Sequence, residues 1–371
     1  MKKILMFFLV FSIFLIGCSE SKVAPAESDT HTIEIYKPNP ENRTELVKVA
    51  RLENLSSSST IYLTAGLVNY EHGALNKAIE VFDKVIAEDP KNEVALYYRA
   101  LAKYNLSRFD EAIKDADELV KMQPENPAVY GLRSSFKIGK KDLQGALKDY
   151  DKSIQLSPKN ISLYFSRADL KVMLQDTNGA IEDMNRVLEI NPNSAKAYIY
   201  RADFKFSKND FKGSEADYTK AIEVEPINEL AYAYRGILKL TIYKDSVGAL
   251  KDFDKSIQIK PNEVAHTFRA QISMSKNDYD NGIKDLDSAI KINPNYVNAR
   301  VLRGAIRFGI LHKLEGALED HSKAIELQPN NALYYTYRGD VRAELGDEGN
   351  SQADYSKAEA LDPNVWSLRQ T

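Results

Sequence analysis

Apolar residues recur along this chain with the spacing of amphipathic α-helices, and prolines interrupt the helical pattern at nearly constant intervals. Within residues 93–126, two apolar patterns of helical period follow each other: Leu96, Ala100 and Leu106, then Ala112, Ala116 and Leu119. Pro124 ends the second pattern, because proline lacks an amide donor and clashes with the preceding turn. Asp110 is placed to cap the second helix and Asn126 to cap the next. The segment therefore predicts two helices joined by a short turn.

This two-helix unit returns along most of the 371 residues. Its closing prolines are 33 to 35 residues apart: Pro90, Pro124, Pro158, Pro192, Pro226, Pro261, Pro294, Pro329 and Pro363. A fixed period of this size is typical of a solenoid, in which stacked neighbours bury the apolar surface that one unit alone cannot. We number the units as repeats one to nine, with Ser59 as position 1 of the first.

Small residues recur where two helices must approach closely. Position 8 is glycine, alanine or serine in all nine repeats, position 20 is also small, and position 24 is large in most. This pattern, with proline at position 32, resembles the tetratricopeptide repeat family. The resemblance implies an all-α, right-handed superhelical solenoid of about nine helix-turn-helix repeats over residues 59–363. The first helix of each repeat, helix A, would line the concave face, and the second is helix B. At position 4, where the family often has tryptophan, several repeats have tyrosine, among them Tyr62, Tyr130, Tyr164, Tyr198 and Tyr232.

Two opposite charges occur together in eight of the nine repeats. Position 7 holds Arg99, Arg133, Arg167, Arg201, Arg235, Arg269, Arg303 and Arg338. Position 23 holds Asp115, Asp149, Asp183, Asp217, Asp252, Asp285, Asp320 and Asp354. Repeat one lacks both, with Ala65 and Val81 in their places. One interpretation is a basic stripe for an anionic ligand. We favour a structural ion pair within each repeat, because the two charges are lost together and an arginine fork suits a carboxylate.

The N-terminus predicts export and a lipid anchor. Lys2 and Lys3 precede an apolar run from Ile4 to Ile16, which is too short to span a bilayer comfortably and is typical of a signal-peptide core. The only cysteine, Cys18, follows this run in a stretch that resembles the lipobox of bacterial lipoproteins. The resemblance implies cleavage before Cys18 and acylation of its sulfur and its new amino group. The alternative is an ordinary secretory signal with an incidental cysteine.

The remaining segments complete the predicted organisation. Residues 1–17 form the cleaved signal peptide, and residues 18–38 a lipidated flexible tether. Residues 39–58 have a helix start and an apolar pattern, which predict an N-terminal capping helix. Residues 364–371 form a short tail, which either folds back over the last helix B or leaves that end to dock on a partner, including a second copy of the chain.

Composition and motifs argue against nucleic-acid binding and catalysis. Lysine and arginine number 50 against 53 aspartates and glutamates, so there is no basic excess of the kind that nucleic-acid binding requires. The five histidines have no metal-ligand spacing, and no phosphate loop or nucleophile motif is present. We therefore expect no enzyme activity, no cofactor and no metal site.

The concave face is the candidate binding surface. The family resemblance implies that positions 2, 5, 9, 12 and 13 of helix A point into the groove. Apolar and aromatic residues dominate positions 5 and 12: Leu63, Tyr70, Tyr97, Tyr104, Phe165, Val172, Ile199, Phe206, Leu240, Met274 and Phe308. Exposed apolar strips usually mark interaction sites. The alternative is that position 12 packs between adjacent A helices.

These observations predict a non-enzymatic adaptor, anchored by lipid in the bacterial cell envelope, that binds partner proteins in its groove. Ser19, which is not aspartate, favours the outer membrane as the site of the anchor. The competing hypothesis is an envelope accessory that binds or processes glycans, with tyrosines that stack on sugars. Clustered inward-facing tyrosines with paired carboxylates would favour glycans, and a continuous apolar strip would favour protein.

Overall fold

A computed structural model describes residues 57–368, which divide into two compact units. We call residues 57–210 the N-terminal unit and residues 211–368 the C-terminal unit, and describe each by itself. The predicted signal peptide, lipidation site and tether lie outside the described residues, as does the predicted capping helix up to residue 56. Ser57 and Ser58, which the prediction assigned to that capping helix, begin the first described helix.

Within the described residues, every regular element is a helix, which confirms the all-α prediction. The N-terminal unit contains α1 (Ser57–Glu71), α2 (Leu75–Glu88), α3 (Glu93–Asn105), α4 (Phe109–Met122), α5 (Pro127–Gly139), α6 (Leu143–Leu156), α7 (Ile161–Met173), α8 (Thr177–Ile190) and α9 (Ala195–Ser207). The C-terminal unit contains α10 (Phe211–Val224), α11 (Glu229–Thr241), α12 (Ser246–Ile259), α13 (Glu263–Ser275), α14 (Tyr279–Ile292), α15 (Val297–Gly309), α16 (Leu314–Leu327), α17 (Ala332–Glu344), α18 (Glu348–Leu361) and α19 (Val365–Leu368). From α1 to α18, odd-numbered helices are the A helices of repeats one to nine and even-numbered helices are the B helices.

Side-chain caps start most of these helices. Asn126 Oδ1 accepts a hydrogen bond from the Ala128 amide at 3.0 Å, as predicted, and so satisfies one of the unpaired donors of α5. Asp142 does the same for α6 by accepting from the Gly145 amide at 2.9 Å. The prediction for Asp110 was wrong. The residue before α4 is Arg108, which makes no capping bond, and Asp110 lies inside the first turn of the helix.

The turn from helix A to helix B contains one residue of left-handed backbone conformation in each of the nine described repeats. These residues are Gly73, Ser107, Lys141, Gln175, Asn209, Lys244, Asn277, His312 and Gly346, with φ between 50° and 78°. Only two are glycines, although a left-handed conformation is unfavourable for other residues. The tight turn reverses the chain, so that helix B can pack against helix A.

Helix A meets helix B where the small residue at position 8 faces the large residue at position 24. A Cβ added to Gly66 would lie 2.5 Å from the Phe82 ring, and one added to Gly236 would lie 2.7 Å from Phe253. Both rings are fully buried. These contacts form the centre of the core in their repeats, and they explain why position 8 must be small.

The end of the described chain packs against the last repeat. Val365 of α19 is fully buried, and the Trp366 ring lies 5.3 Å from the ring of Tyr355. Trp366 Nε1 also donates a hydrogen bond to Glu359 Oε1 at 2.6 Å. The described part of the tail therefore folds back onto helix B of repeat nine, α18.

Two neighbouring glycines give a test of the turn geometry. Gly346 has φ +78°, and neither Gly346 nor Gly349 would bring an added Cβ within 4 Å of another atom. We predict that Gly346→Ala lowers the free energy of unfolding by about 1 kcal/mol, because alanine is strained in the left-handed region. Gly349→Ala, in the first turn of α18, should be neutral or stabilising, since alanine is the better helix former. Urea unfolding of both variants measures the difference, and an equal effect would contradict the turn assignment.

Candidate functional site

The aspartates at position 23 are buried. Where the two residues lie in the same unit, the arginine at position 7 holds the aspartate by two hydrogen bonds. In repeat three, Arg133 Nε and Nη2 donate to the two oxygens of Asp149 at 2.9 and 2.6 Å. The same two-pronged contact joins Arg99–Asp115, Arg167–Asp183, Arg235–Asp252, Arg269–Asp285, Arg303–Asp320 and Arg338–Asp354. Arg201 belongs to the N-terminal unit and Asp217 to the C-terminal unit, and each is described only within its own unit.

In most of the described repeats, the third guanidinium nitrogen of the position-7 arginine reaches back to the preceding repeat. Arg133 Nη1 donates to Asp117 at 2.8 Å, and Arg167 Nη1 donates to Asp151 at 2.7 Å. The acceptor is always the residue at position 25 of the preceding repeat, in each of these pairs: Arg99–Asp83, Arg133–Asp117, Arg167–Asp151, Arg201–Asn185, Arg235–Thr219, Arg269–Asp254 and Arg303–Asp287. Arg99, Arg133, Arg167, Arg235, Arg269 and Arg303 therefore each contact helix B of their own repeat and a residue of the preceding repeat.

A second cation, at position 11, completes the neutralisation of most position-23 carboxylates. Lys103 Nζ lies 2.8 Å from Asp115, Lys137 Nζ lies 2.7 Å from Asp149, and Arg307 Nη1 lies 2.8 Å from Asp320. Sequence reasoning missed this group, although a basic residue at position 11 recurs in the sequence. Position 11 is four residues after position 7 and therefore on the same face of helix A.

In repeat seven, a histidine takes the place of the second cation beside the buried carboxylate. Position 11 is Ser273, and the histidine at position 4, His266, instead places Nδ1 2.8 Å from Asp285 Oδ1. Burial alone would raise the pKa of Asp285. The hydrogen bonds from His266 and Arg269 outweigh it and hold the pKa of this carboxyl below its usual value.

The tyrosines at position 4 support the arginines from the other side. The Arg133 guanidinium lies 5.7 Å from the centre of the Tyr130 ring, and the Tyr130 hydroxyl donates to the Pro124 carbonyl at 3.0 Å. Tyr164 makes the same two contacts, with Arg167 and Pro158. Tyrosine thus adds a hydrogen bond to the preceding repeat that an apolar ring lacks. The nitrogens of these arginines are engaged in hydrogen bonds, and the face of each guanidinium lies on a tyrosine ring. The row of arginines therefore has the geometry of structural ion pairs and not of an anion-binding site. We call this row, with the residues it contacts, the ladder.

A double-mutant cycle tests the ladder. The side chains of Arg167 and Asp183 are 16% and 1% exposed, so we predict a coupling energy of at least about 2 kcal/mol, because removal of either partner leaves a buried charge. Arg186 and Glu189 form a matched control, since both side chains are 59% exposed and such pairs contribute about 0.5 kcal/mol. Denaturant unfolding of the single and double alanine variants gives both values. Equal coupling in the two pairs would contradict the structural role.

His321 is a buried titratable group in the C-terminal unit. It occupies position 24, its ring lies 5.6 Å from that of Tyr337, and Nδ1 has no hydrogen-bond partner. Burial, with a smaller contribution from the charge of Arg338, lowers the pKa of His321 to about 3. The native state therefore holds this ring neutral, whereas the unfolded chain takes up a proton as the pH falls below about 6.5.

The resulting prediction is a loss of stability in mild acid. Between pH 7 and pH 5, the protonation of His321 in the unfolded state should lower the free energy of unfolding by up to about 2 kcal/mol. His321→Phe should remove this contribution, because phenylalanine fills the same position against a glycine in repeats one and six. Denaturant unfolding at both pH values tests it. His312→Phe, at an exposed turn residue, is the control that should leave the pH dependence intact.

The predicted groove residues differ in how much surface they keep. Tyr70, Tyr97, Tyr104, Phe165, Phe206, Leu240 and Phe308 are half-buried, Leu63, Ile199 and Met274 are buried, and Val172 is exposed. Tyr104 packs against Phe136 and Phe109, with ring centres 5.1 and 5.6 Å apart, so it also serves the core. Sequence reasoning left out Met173, which follows Val172 and is 53% exposed. The described surface is therefore a set of separate apolar spots rather than a continuous strip.

We call positions 2, 5, 9, 12 and 13 of the A helices, which the family resemblance assigns to the groove, the inner face. In the C-terminal unit, the inner-face residues at position 5 are buried. There the A helices α13, α15 and α17 contact one another in sequence, and their position-5 residues, Thr267, Val301 and Thr336, are all buried. In the N-terminal unit, Tyr97 and Phe165 at the same position keep part of their surface. The Lys196 ammonium lies 4.9 Å from the centre of the Phe165 ring, a cation–π contact. The N-terminal unit thus offers the more accessible aromatic surface.

Residues 57–368 were also compared with the requirements of two other kinds of structure, a metal site and a membrane-spanning helix, and fit neither. No group of three or more histidine, cysteine or acidic residues in this part of the chain is arranged to hold a metal ion. Among the helices of the same residues, none combines the length and apolar character needed to cross a membrane.

Comparisons with known proteins identify the repeat. One tetratricopeptide repeat model matches residues 70–136, and a second matches residues 161–194 and 265–296. A search of curated proteins found no match. Segments of this all-α chain therefore match tetratricopeptide repeats, a class of repeat that generally mediates protein–protein interaction.

Solved structures agree on the fold. A tetratricopeptide repeat protein from Parabacteroides merdae is 18% identical, with a TM-score of 0.51, over 67% of this chain and 99% of that one. Yeast Tom70 is 16% identical, with a TM-score of 0.52, over 85% of this chain and 88% of its own. The C-terminal part of a tetratricopeptide repeat-containing protein from Cytophaga hutchinsonii is 15% identical, with a TM-score of 0.51, over 64% and 97% of the two chains. The prediction of a tetratricopeptide solenoid is confirmed.

Proposed function

We propose that this chain is a non-enzymatic adaptor that binds partner proteins on the inner face of its N-terminal unit. The observation that carries the proposal is that three A helices of this unit keep accessible apolar side chains: Tyr97 on α3, Phe165 and Val172 on α7, and Phe206 on α9. Aromatic anchors that keep some surface supply much of the binding energy in protein interfaces.

The arrangement of charges supports a binding role over chemistry. Most described position-23 carboxylates are held by an arginine and a second cation, which leaves them neutralised rather than poised to react. The tyrosines at position 4 stack on those arginines, so they are not grouped around a carboxylate pair as a glycan site would require. The protein-binding hypothesis is therefore the one we retain.

We further propose that the chain is a lipoprotein of the bacterial cell envelope, anchored through Cys18 and held in the outer membrane. The support is the sequence alone: the apolar run from Ile4 to Ile16 ends beside the only cysteine of the chain. Several acyl chains give stable membrane attachment, and the repeats would then present their inner face to envelope proteins.

The anchor gives a direct prediction. Expressed in a bacterial host, the wild-type chain should fractionate with membranes and carry acyl groups on an N-terminal Cys18, as read by mass spectrometry of the mature N-terminus. Cys18→Ser should leave the chain uncleaved or released from the membrane. Wild-type protein with an unmodified Cys18 would contradict the lipoprotein assignment and leave the groove proposal untouched.

The binding surface gives a second prediction. Phe165→Ser combined with Val172→Ser should weaken binding of partners captured from solubilised envelopes by about 2 kcal/mol or more, the scale of an interface hot spot. The helical content should change little, because Val172 is 41% exposed and Phe165 only half-buried.

A matched control comes from apolar residues away from the inner face. Ile227 and Val247 are 73% and 63% exposed, and Ile227→Ser with Val247→Ser should leave capture unchanged. Circular dichroism and a quantitative pull-down of both double variants decide the matter. Equal loss in the two, or loss in neither, would rule out the inner face of α7 as the binding surface.

A further inference from the structure

Helix α1 carries an apolar face that the described residues leave uncovered. Ile61 and Val68 are 66% and 47% exposed. Ala65 lies between them on the same side of the helix, because residues three and four apart are neighbours on a helix surface. Ala65 also occupies position 7, where the other eight repeats have arginine, so this side of α1 lacks the charge that they carry. We call Ile61, Ala65 and Val68 the α1 face.

The same face is covered in every later repeat. Ile61 and Val68 occupy positions 3 and 10 of repeat one. In repeats two to nine, position 3 is buried except for the half-buried Leu163, and position 10 is always buried. The position-10 residues are Ala102, Phe136, Leu170, Phe204, Leu238, Ile272, Ile306 and Val341. In these repeats, helix B of the preceding repeat packs against helix A, whereas among the described residues no helix precedes α1.

Helix B of a repeat uses different positions for its two neighbours. Positions 20 and 24 face helix A of the same repeat, as Phe82 faces Gly66. Position 25 contacts the arginine of the next repeat, and position 28 packs into the next core, as Ile154 does with Tyr164 of repeat four. A helix placed before repeat one, with no helix A of its own, therefore needs apolar residues at positions 25 and 28 and can be polar at positions 20 and 24.

The sequence before α1 has this arrangement. Counted back by the 34 residues of repeat one, Val49 and Leu52 occupy the equivalents of positions 25 and 28. Thr44 and Lys48, both polar, occupy the equivalents of positions 20 and 24. Although this segment lies outside the described residues, its sequence has the pattern of a helix B whose own helix A is missing.

The charges of the ladder support the same register. Arg99 at position 7 contacts Asp83, which lies 16 residues earlier in the chain. The residue 16 positions before Ala65 is Val49, so both members of this pair are apolar in repeat one. An arginine or an aspartate alone at either place would be a buried charge without its partner, and the chain has neither.

We propose that residues 41–52 form a helix that packs antiparallel on the α1 face as a half-repeat. The opposed residues are Leu52 and Ile61, Val49 and Ala65, and Leu46 and Val68. The occupant is this segment because it directly precedes α1, and residues 53–56 are enough to join two antiparallel helices. The capping helix predicted from the sequence thereby acquires a surface and a register. The proposal does not depend on the proposed binding function, since the α1 face lies outside the inner face.

Spin-label distances test the packing on the full chain. In the Cys18→Ser variant, which removes the only native cysteine, labels on Lys48→Cys and Glu71→Cys should give one narrow distance of about 20 Å. Packed helices lie about 8–10 Å apart, and the two sites are offset by about five residues along them. A single helix running through both sites would separate them by about 35 Å. That distance, or a broad distribution, overturns the proposal.

Hydrogen exchange tests whether the contact stabilises repeat one. Val49→Asn should make the amides of α1 exchange about 10-fold or more faster, because an end repeat is stabilised only by its neighbours. Lys48→Asn is the matched control, since it introduces the same side chain at the adjacent polar position and should leave the exchange of α1 unchanged. An equal effect of the two variants, or no effect of either, contradicts the proposed packing.

Other occupants of the α1 face give different results. If a second copy of the chain covers it, Glu71→Cys labelled alone should show a distance between copies, and the chain should elute as a dimer in size-exclusion chromatography. That result would replace the N-terminal segment by an interface between copies. Because none of these variants lies on the inner face, failure here leaves the inner-face proposal to its own test with Phe165→Ser and Val172→Ser.

Discussion

The carboxylates at position 23 set the main constraint on this structure. Asp183 and Asp320 are almost completely buried, and a charge removed from water must be matched by opposite charge and hydrogen bonds. The chain meets this demand with an arginine fork at position 7, a second cation at position 11 and, in repeat seven, a histidine. Because the arginine also reaches the preceding repeat, the same contact sets how successive repeats stack.

This constraint also limits where the molecule can bind. Residues at positions 4, 7, 11, 23 and 25 are occupied by the ladder, and those at positions 8, 20 and 24 by the contact between the two helices of a repeat. Positions 5, 9 and 12 of helix A remain, and their size varies from repeat to repeat. Small or β-branched residues at position 5 are buried in the C-terminal unit, whereas Tyr97 and Phe165 keep surface in the N-terminal unit. Variation at the exposed members of these positions can therefore change the proposed binding surface with little effect on the fold.

The fold could be predicted from the sequence because its determinants repeat. Nine prolines in register and the small residue at position 8 indicate helix pairs, and the joint loss of charge in repeat one indicates which charges belong together. The arginine contact to position 25 could not be derived in this way, since it depends on how far apart successive repeats lie. Asp110 was misassigned as a cap because the turn before α4 begins the helix two residues earlier than its acidic side chains suggest.

The candidate site was less predictable, for a physical reason. Whether a residue at position 5 or 12 faces solvent depends on the spacing of neighbouring A helices, which the periodic pattern does not encode. Leu63, Ile199 and Met274 have the same apolar character as Val172, yet they are buried and Val172 is not.

Native-state hydrogen exchange of Arg167→Met tests most directly the central claim that each arginine holds two repeats together. Arg167 contacts Asp183 on α8 in its own repeat and Asp151 on α6 in the preceding one. If the ladder couples repeats, the opening free energies of amides in α6 should fall together with those in α7 and α8, while the exposed Arg186→Met leaves all three unchanged. A loss of protection confined to α7 and α8 would show that the arginine stabilises only its own helix pair, and would contradict the account.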